Sequence, residues 1–301
     1  MEFLAALREH DFLRNALLSG LLVSVACGIV GSYVIARRIS YIAGAIAHSV
    51  LGGMGAARYF QTVYGWEAFQ PLVGAVIAAL LAALIVGVVS LRAKEREDTV
   101  IGAVWAIGMA TGILFISRTP GYNQDLMSYL FGNILMVSAR DLWLIVALDV
   151  FVVAVSLVCY KQLFAVCFDE EFARLRGIRV EFYYLLLLCL TALTVVLLVT
   201  VVGTVLVIAL LTLPVAVGGL FARTLAQMMV LSAVLSAVFT SGGLALSYGP
   251  DLPAGATIIL VAGAVYVAAI LIRVALSRLA KLRERASVPS PPQPADARQP
   301  N

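Results

Sequence analysis

The chain has 301 residues, of which 62% are hydrophobic and 13% charged, with a formal net charge of +4 and a mean hydropathy of +1.01. Soluble domains are typically about 45 to 50% apolar and about 25% charged, so this composition excludes an ordinary soluble protein and indicates an integral membrane protein. The net charge does not indicate a nucleic-acid partner, because the basic residues gather in short loops and near the C-terminus, where membrane topology explains them.

Nine apolar segments have the length of a membrane span, since about 20 residues cross a bilayer core of about 30 Å. They lie near 16–36, 41–60, 71–91, 100–117, 142–160, 182–201, 204–221, 226–246 and 256–275. The sequence therefore predicts an all-α, polytopic bundle of eight or nine transmembrane helices. Gly203 and Pro214 interrupt the long run 182–221, where helix breakers are tolerated only if protein or a cavity satisfies the backbone, so a kink with a gating role is predicted there.

Three parts are predicted along the chain: an amphipathic N-terminal segment at 1–15, a permease domain at 16–276 and a disordered cytoplasmic tail at 277–301. The first span is expected to be a permanent helix rather than a cleaved signal. Short loops rich in Arg and Lys mark the cytoplasmic side. The loops at 61–70, 118–126 and 247–255 are rich in Tyr, Trp, Gly and Pro and are predicted to lie outside.

The cytoplasmic segment 161–181 carries acidic residues early and basic residues late, an order that suits the dipole of a helix. Phe168, Phe172 and Leu175 form an apolar stripe at positions i, i+4 and i+7. The pattern predicts a short amphipathic helix, parallel to the membrane, that docks in a groove of a partner. An ordinary solvated loop is the alternative.

Two ionisable residues lie deep in predicted spans, where such residues are functional by default. His48 and Asp149 each lie about 12 Å inside a span, at 1.5 Å per residue. A neutral imidazole can bind Zn²⁺, Mn²⁺ or Fe²⁺, and a carboxylate suits the harder ions, so both are candidate metal ligands. The alternatives are a structural histidine bonded to a carbonyl of a neighbouring helix and, for Asp149, a position in a polar seam.

Ser40, Gly44, Gly52 and Gly55 share one stripe of the helix that carries His48, which predicts either close packing or an open cavity along that face. Ser49 follows His48 directly, but adjacent helical residues point about 100° apart, so a catalytic Ser-His-Asp arrangement is not expected. No glycine precedes any of the three lysines, so the chain has no P-loop and is not itself an ATPase. The four cysteines lack C-x-x-C spacing and are interpreted as small core residues.

Five stretches of the chain, in the same order, resemble the membrane permeases of zinc/manganese-type ABC importers. They read RRISYIAGAIAHSVLGG (37–53), DLMSYLFGNILMVSARDL (125–142), FDEEFARLRGI (168–178), GTVLVIALLTLPVA (203–216) and DLPAG (251–255). The resemblance covers roughly residues 15–275. It implies a homodimeric or paired permease, embedded in the lipid of a bacterial cytoplasmic membrane. A separate ATPase subunit would drive it, and an extracytoplasmic metal-binding protein would supply a divalent metal ion as the transported substrate, with no permanently bound cofactor.

The resemblance also assigns residues. Asp169, Ala173 and Gly177 match the family's cytoplasmic coupling helix, which contacts the ATPase. In the family, an Asp and a His one turn apart on the second helix contribute to a metal site near the dimer axis. His48 matches the histidine, but Gly44 stands at the aspartate position, so a dimer would supply two imidazoles without those carboxylates.

Several readings stay open at this point. Asp149 could compensate for the missing carboxylate, the ion could keep water, or its affinity could be low, which suits a permease that must release its ion. Within the ABC class, the alternative is a siderophore or haem permease. Outside it, the alternatives are a secondary transporter or channel and an intramembrane enzyme.

Overall fold

The computed structural model describes residues 2–92, 97–120, 132, 134–250 and 252–287. In these residues the chain forms twelve α-helices and one 3₁₀ turn, with no β-strand. The elements are α1 (Glu2–Glu9), α2 (Asp11–Arg37), α3 (Ser40–Tyr64), α4 (Pro71–Arg92), α5 (Glu97–Arg118), the 3₁₀ turn (Ile134–Met136), α6 (Ala139–Val158), α7 (Tyr160–Phe168), α8 (Glu170–Leu175), α9 (Val180–Val202), α10 (Thr204–Phe221), α11 (Leu225–Tyr248) and α12 (Ala254–Ser287). The all-α prediction is confirmed.

Eight helices in the described part of the chain are long and apolar enough to cross a membrane, namely α2, α4, α5, α6, α9, α10, α11 and α12. The helix α3 has 25 residues and therefore a length of about 37 Å, which also suffices to span. It is not among the eight because glycines, a histidine and an arginine lower its hydropathy. The nine long helices correspond to the nine segments that the sequence predicts.

The helices α2 and α9 lie at the centre of the bundle, whereas α5 and α12 are largely exposed at its periphery. Close backbone approaches hold α2 in place. A Cβ atom on Gly28 would lie 2.6 Å from that of Ala233 on α11, and one on Gly31 would lie 2.7 Å from the carbonyl oxygen of Leu211 on α10. Small residues at such crossings let membrane helices pack backbone to backbone.

The helical backbone is interrupted between α9 and α10. Gly203, which caps both helices, has φ 79° and ψ 163°, a conformation that is essentially restricted to glycine. Pro214 lies inside α10 and does not end it. The predicted interruption of the run 182–221 is therefore located at Gly203, while the gating role stays a prediction.

Two segments differ from the sequence-based expectation. The amphipathic helix predicted within 161–181 is divided into α7 and α8, because the backbone of Asp169 is extended, with φ −151° and ψ 98°. The helix α12 continues to Ser287, past residue 276, where the tail was predicted to begin, because the stretch SRLAKLRERA is rich in helix-forming residues. Residues 288–301, Asp251 and most of the motif 125–142 lie outside the described residues.

All four cysteines are free, and Cys27 and Cys167 are buried. Burial raises the pKa of the Cys167 thiol to about 12, so this thiol stays protonated at neutral pH. These two residues therefore behave as core residues, as the sequence predicts.

Candidate functional site

A network of polar contacts joins several helix ends on the predicted cytoplasmic side, around a cavity of about 320 Å³. Arg37, at the end of α2, forms an ion pair with Glu170 of α8, and its guanidinium lies 5.3 Å from the ring centre of Tyr184 on α9. The Tyr184 hydroxyl lies 3.0 Å from Ser90 Oγ. The Ser90 hydroxyl in turn donates a hydrogen bond of 2.8 Å to Glu97 Oε1. Contacts therefore run continuously from α8 to the first residue of α5.

The three residues that match the family's coupling helix, Asp169, Ala173 and Gly177, begin, anchor and end the segment that contains α8. The Asp169 side chain accepts a hydrogen bond of 2.9 Å from the backbone N–H of Phe172 and so caps the helix. Ala173 is fully buried, so it packs against the bundle rather than facing outward. Gly177 has φ 75° and ends the segment, and the N–H of Ile178 returns to the Ala173 carbonyl at 3.0 Å.

The segment exposes three large apolar side chains among charged residues such as Glu171 and Arg174. The exposed fractions are 59% for Phe168, 49% for Phe172 and 87% for Leu175. Phe172 and Leu175 belong to α8, whereas Phe168 ends α7 on the other side of the break at Asp169, so the three exposed side chains come from two helices. Docking of these side chains on a partner stays a prediction. In this segment the residues that stabilise the helix are therefore different from the exposed apolar residues that could contact a partner.

His48 lies in the middle of α3 and is only 8% exposed. Its ring stacks on the indole of Trp105 from α5, with ring centres 4.3 Å apart and planes 17° from parallel. No hydrogen bond joins His48 to any other residue that the structure describes, so a structural histidine bonded to a helix carbonyl is not what is observed. The indole covers a face of the imidazole, and neither ring nitrogen has a hydrogen-bond partner among the described residues.

The small residues near His48 form tight helix contacts, and Gly52 also lines an open cavity of about 630 Å³ between α3, α4 and α5. A Cβ atom on Gly52 would lie 2.7 Å from the Gly108 carbonyl oxygen, and one on Gly55 would lie 2.8 Å from that of Gly112. These contacts hold α3 directly against α5. Both readings that the sequence left open, close packing and an open cavity, therefore describe this part of the stripe.

Ser49 does not assist His48. Its hydroxyl donates to the Ala45 carbonyl at 2.9 Å and to the Val104 carbonyl of α5 at 3.3 Å. This geometry agrees with the expectation that Ser49 and His48 point in different directions. The hydroxyl thus contributes to helix packing and forms no catalytic pair with the imidazole.

Asp149 lies on α6 and is 7% exposed. It faces Ala26 and Cys27 of α2, and its Oδ2 atom has no hydrogen-bond partner among the described residues. The helix α6 packs mainly against α2, α9 and α7, not against α3. Within the described part of one chain, Asp149 is therefore not brought to His48, and no cluster of three or more His, Cys, Asp or Glu residues that could hold a metal is formed there.

Trp105 is the residue that sequence reasoning missed. Tryptophan usually lies at the membrane interface, yet Trp105 lies eight residues into α5, about 12 Å from its first residue. A tryptophan so far from the end of a span is unusual, and this position could have indicated from the sequence that Trp105 packs against a specific residue. Its neighbour is His48, from a helix two elements earlier in the chain.

An aromatic cluster lies at the opposite end of α3 from Arg37. The ring of Phe60 stacks on Trp66 with centres 5.3 Å apart, and it also approaches Tyr64 and Phe115 at 5.7 and 6.0 Å. Aromatic belts of this kind mark a membrane–water interface. The loop 61–70 therefore lies at a membrane–water interface, and its position on the outside stays a prediction.

Comparison with known proteins yields matches along nearly the whole chain. The model of the ABC 3 transport family matches residues 9–273. A probable metal transport system membrane protein of Chlamydia trachomatis is 40% identical over 279 residues, which are 93% of this chain and 92% of the relative. The manganese import system permease protein ScaB of Streptococcus gordonii is 34% identical over 265 residues, 88% and 92% of the two chains.

A solved structure has the same architecture. A chain of PsaBC from Streptococcus pneumoniae, in complex with Fab, superimposes with a TM-score of 0.78 at 32% sequence identity. The match covers 89% of this chain and 94% of that one. The similarity concerns the overall fold and assigns no role to individual residues of this chain.

Proposed function

The chain belongs to the ABC 3 transport family, and from that premise we propose that it is the permease subunit of an importer for a divalent transition metal such as zinc, manganese or iron. It is a multi-pass protein of the cytoplasmic membrane. The observation that carries the proposal is near full-length similarity to a relative whose name describes a manganese import permease. Binding of the ion outside, ATP hydrolysis and translocation are assigned to separate proteins, of which this chain performs the last.

In this proposal His48 is the side chain of α3 that meets the ion. Its depth in the bundle and the absence of a hydrogen bond to any other described residue support that role. Two copies of the chain would present two imidazoles. Asp149 faces α2, so we propose that it does not bind the same ion as His48 of the same chain.

Coupling to the ATPase is assigned to α8. The exposed stripe of Phe168, Phe172 and Leu175 would dock on the ATPase, and motion of α8 would reach α2 and α3 through the ion pair of Glu170 with Arg37. Access to His48 would then alternate between the two sides of the membrane. The break at Gly203 and the proline at 214 offer backbone positions where helices could shift.

The test is transport by the whole complex in proteoliposomes, with the cognate ATPase and binding protein and with labelled zinc, manganese and iron. We expect ATP-dependent accumulation of at least one ion, and none when the ATPase subunit binds ATP without hydrolysing it. Equal accumulation without ATP would instead assign the chain to the secondary transporters. Accumulation of a metal chelate but of no free ion would support the siderophore or haem alternative.

A further inference from the structure

One indole covers two successive turns of α3. The ring of His48 stacks on Trp105, and a Cβ atom on Gly44, one turn earlier, would lie 3.3 Å from Cζ3 of the same indole. That Cβ atom would also lie 3.9 Å from Cδ1 of Ile208 on α10. The space beside Gly44 is therefore occupied by apolar atoms, and no side chain extends from α3 into it.

The stack fixes the plane of the imidazole. A histidine binds a metal through a nitrogen lone pair that lies in the ring plane, and most metal-binding histidines are oriented by a hydrogen bond from their second nitrogen. His48 has no such bond to another described residue. The nearly parallel indole of Trp105 takes the orienting role here, because it restricts the plane in which a bond to the ion can form.

The same indole decides which other ligands can approach. A carboxylate at position 44 would lie on the same face of α3 as His48, but that position is a glycine whose free space is filled by Trp105. Asp149 lies on α6 against α2, away from this stack. Among the residues that the structure describes, the side-chain ligand on this face of α3 is imidazole alone.

We propose that Gly44 and Trp105 together set the ion preference of the permease, by restricting the His48 site to imidazole ligation and so favouring zinc over manganese. Imidazole suits zinc, whereas manganese prefers carboxylate, carbonyl and water oxygens and binds most weakly in the usual order of divalent metals. The apolar wall of the indole also limits the number of waters that an ion can retain. The inference rests on the proposed function, because it requires that the ion meets His48.

Equilibrium binding to the solubilised permease–ATPase complex tests this preference without the binding protein, whose own selectivity would otherwise dominate. Zinc alone and manganese alone are titrated into the wild type, and bound metal is measured by mass spectrometry. We expect zinc to bind at least about tenfold more tightly, as the usual order of divalent affinities at nitrogen ligands suggests. Manganese binding equal to or tighter than zinc would overturn the inference.

Two substitutions should weaken the preference by different routes. Gly44→Asp adds a carboxylate one turn from His48, and Trp105→Ala removes the indole that fills the space. Each should lower the ratio of zinc to manganese affinity several-fold. Gly44→Ala is the matched control for Gly44→Asp, because it adds a Cβ atom without a carboxylate. Gly102→Ala is the control for α5, since a Cβ atom there would meet nothing within 4 Å. An unchanged ratio in both test variants would contradict the proposal.

A spectroscopic readout does not depend on how well those variants fold. Trp66 and Trp143 are 57% and 76% exposed, so Trp66→Phe and Trp143→Phe leave Trp105 as the sole tryptophan with little cost to packing. Zinc bound at His48 should change the Trp105 fluorescence, at lower concentrations than manganese, and His48→Ala should remove that response. If zinc binds and the fluorescence does not change, Trp105 does not contact the site.

These outcomes are distinct from failure of the proposed function. A complex that accumulates no metal at all and hydrolyses ATP without transport would refute the importer assignment. A complex that transports metal, but whose permease binds manganese at least as tightly as zinc when the binding protein is absent, would refute only the role of Gly44 and Trp105.

Discussion

At the cytoplasmic end of α2, Arg37 is paired with Glu170 and lies over Tyr184, whereas in the middle of α3 the ring of His48 has an indole as its neighbour. His48 forms no ion pair or hydrogen bond with another residue in the described ranges. The two regions are close in sequence, since α3 begins three residues after Arg37. One is a network of charged and polar side chains, and the other is a single imidazole stacked on an indole.

The difference follows from the free-energy cost of a charged side chain, which depends on its depth in the membrane. Near the membrane surface, water and opposite charges keep that cost low, so a network of ion pairs can link moving parts. At the centre of the bilayer a permanent charge costs several kcal/mol or more. A site that carries charge only while an ion passes avoids that cost between transport events. If the two regions have separate roles, substitutions in each should affect different steps of transport.

The largest effect is expected from the region around His48. His48→Ala should abolish metal uptake while the complex still assembles, because it removes the ligand from α3 and leaves the glycine contacts of that helix with α5 intact. Uptake in proteoliposomes and co-purification with the ATPase measure the two properties. His10→Ala is the matched control, since His10 is the only other histidine and is exposed. Normal uptake by the His48 variant would remove this residue from the path.

A smaller effect is expected from the charged region. Arg37→Ala or Glu170→Ala should lower the number of ions transported per ATP hydrolysed by about tenfold, within the range of typical coupling energies, because α8 then loses its link to α2. ATP hydrolysis and metal binding should persist.

Two variants sharpen that result. Exchange of the charges in Arg37→Glu/Glu170→Arg should restore part of the coupling. Arg174→Ala should change it little, because the pair of Arg174 with Glu181 has half-exposed side chains and is screened by solvent. A loss of coupling as large in Arg174→Ala as in Arg37→Ala would show that the particular ion pair is unimportant.

The smallest effect is expected on stability rather than on transport chemistry. Gly203→Ala should lower the stability by about 1 to 3 kcal/mol, because an alanine is strained at the φ and ψ values of this residue. Thermal unfolding in detergent measures the change. Gly263→Ala on α12, where a Cβ atom would meet nothing within 4 Å, should leave the melting temperature equal or slightly higher. Equal melting temperatures for wild type and Gly203→Ala would show that an alanine is not strained at this position.

The membrane architecture could be predicted from the sequence because it depends on local properties. Runs of about 20 apolar residues specify spans, and the broken run at Gly203 is visible as a glycine between two of them. The depth of His48 follows from its position within a span. The apolar stripe of Phe168, Phe172 and Leu175 was also readable, although the division of its segment at Asp169 was not, because an extended backbone at an N-cap residue leaves no periodic signal.

Contacts between distant helices could not be read in the same way. The pattern of glycines on α3 allowed either close packing or a cavity, and both occur, because Gly52 lies against the Gly108 carbonyl of α5 and also lines the cavity between α3, α4 and α5. Asp149 qualified as a partner for His48 by depth alone, yet it faces α2. Depth along a helix is set by chain position, whereas the direction that a residue faces depends on which helices pack around it.

By itself, the sequence determined that this protein is a multi-helix membrane protein, that a glycine interrupts the long apolar run 182–221, and that a histidine lies near the middle of the second span. Those features follow from hydrophobicity, helix rise and backbone restrictions, which act over short stretches of chain. The tertiary structure alone decided that Trp105 covers both His48 and Gly44, that Arg37 reaches Glu170 and that Asp149 lies elsewhere. These are contacts between segments tens of residues apart, and only the packing of the whole bundle brings such segments together.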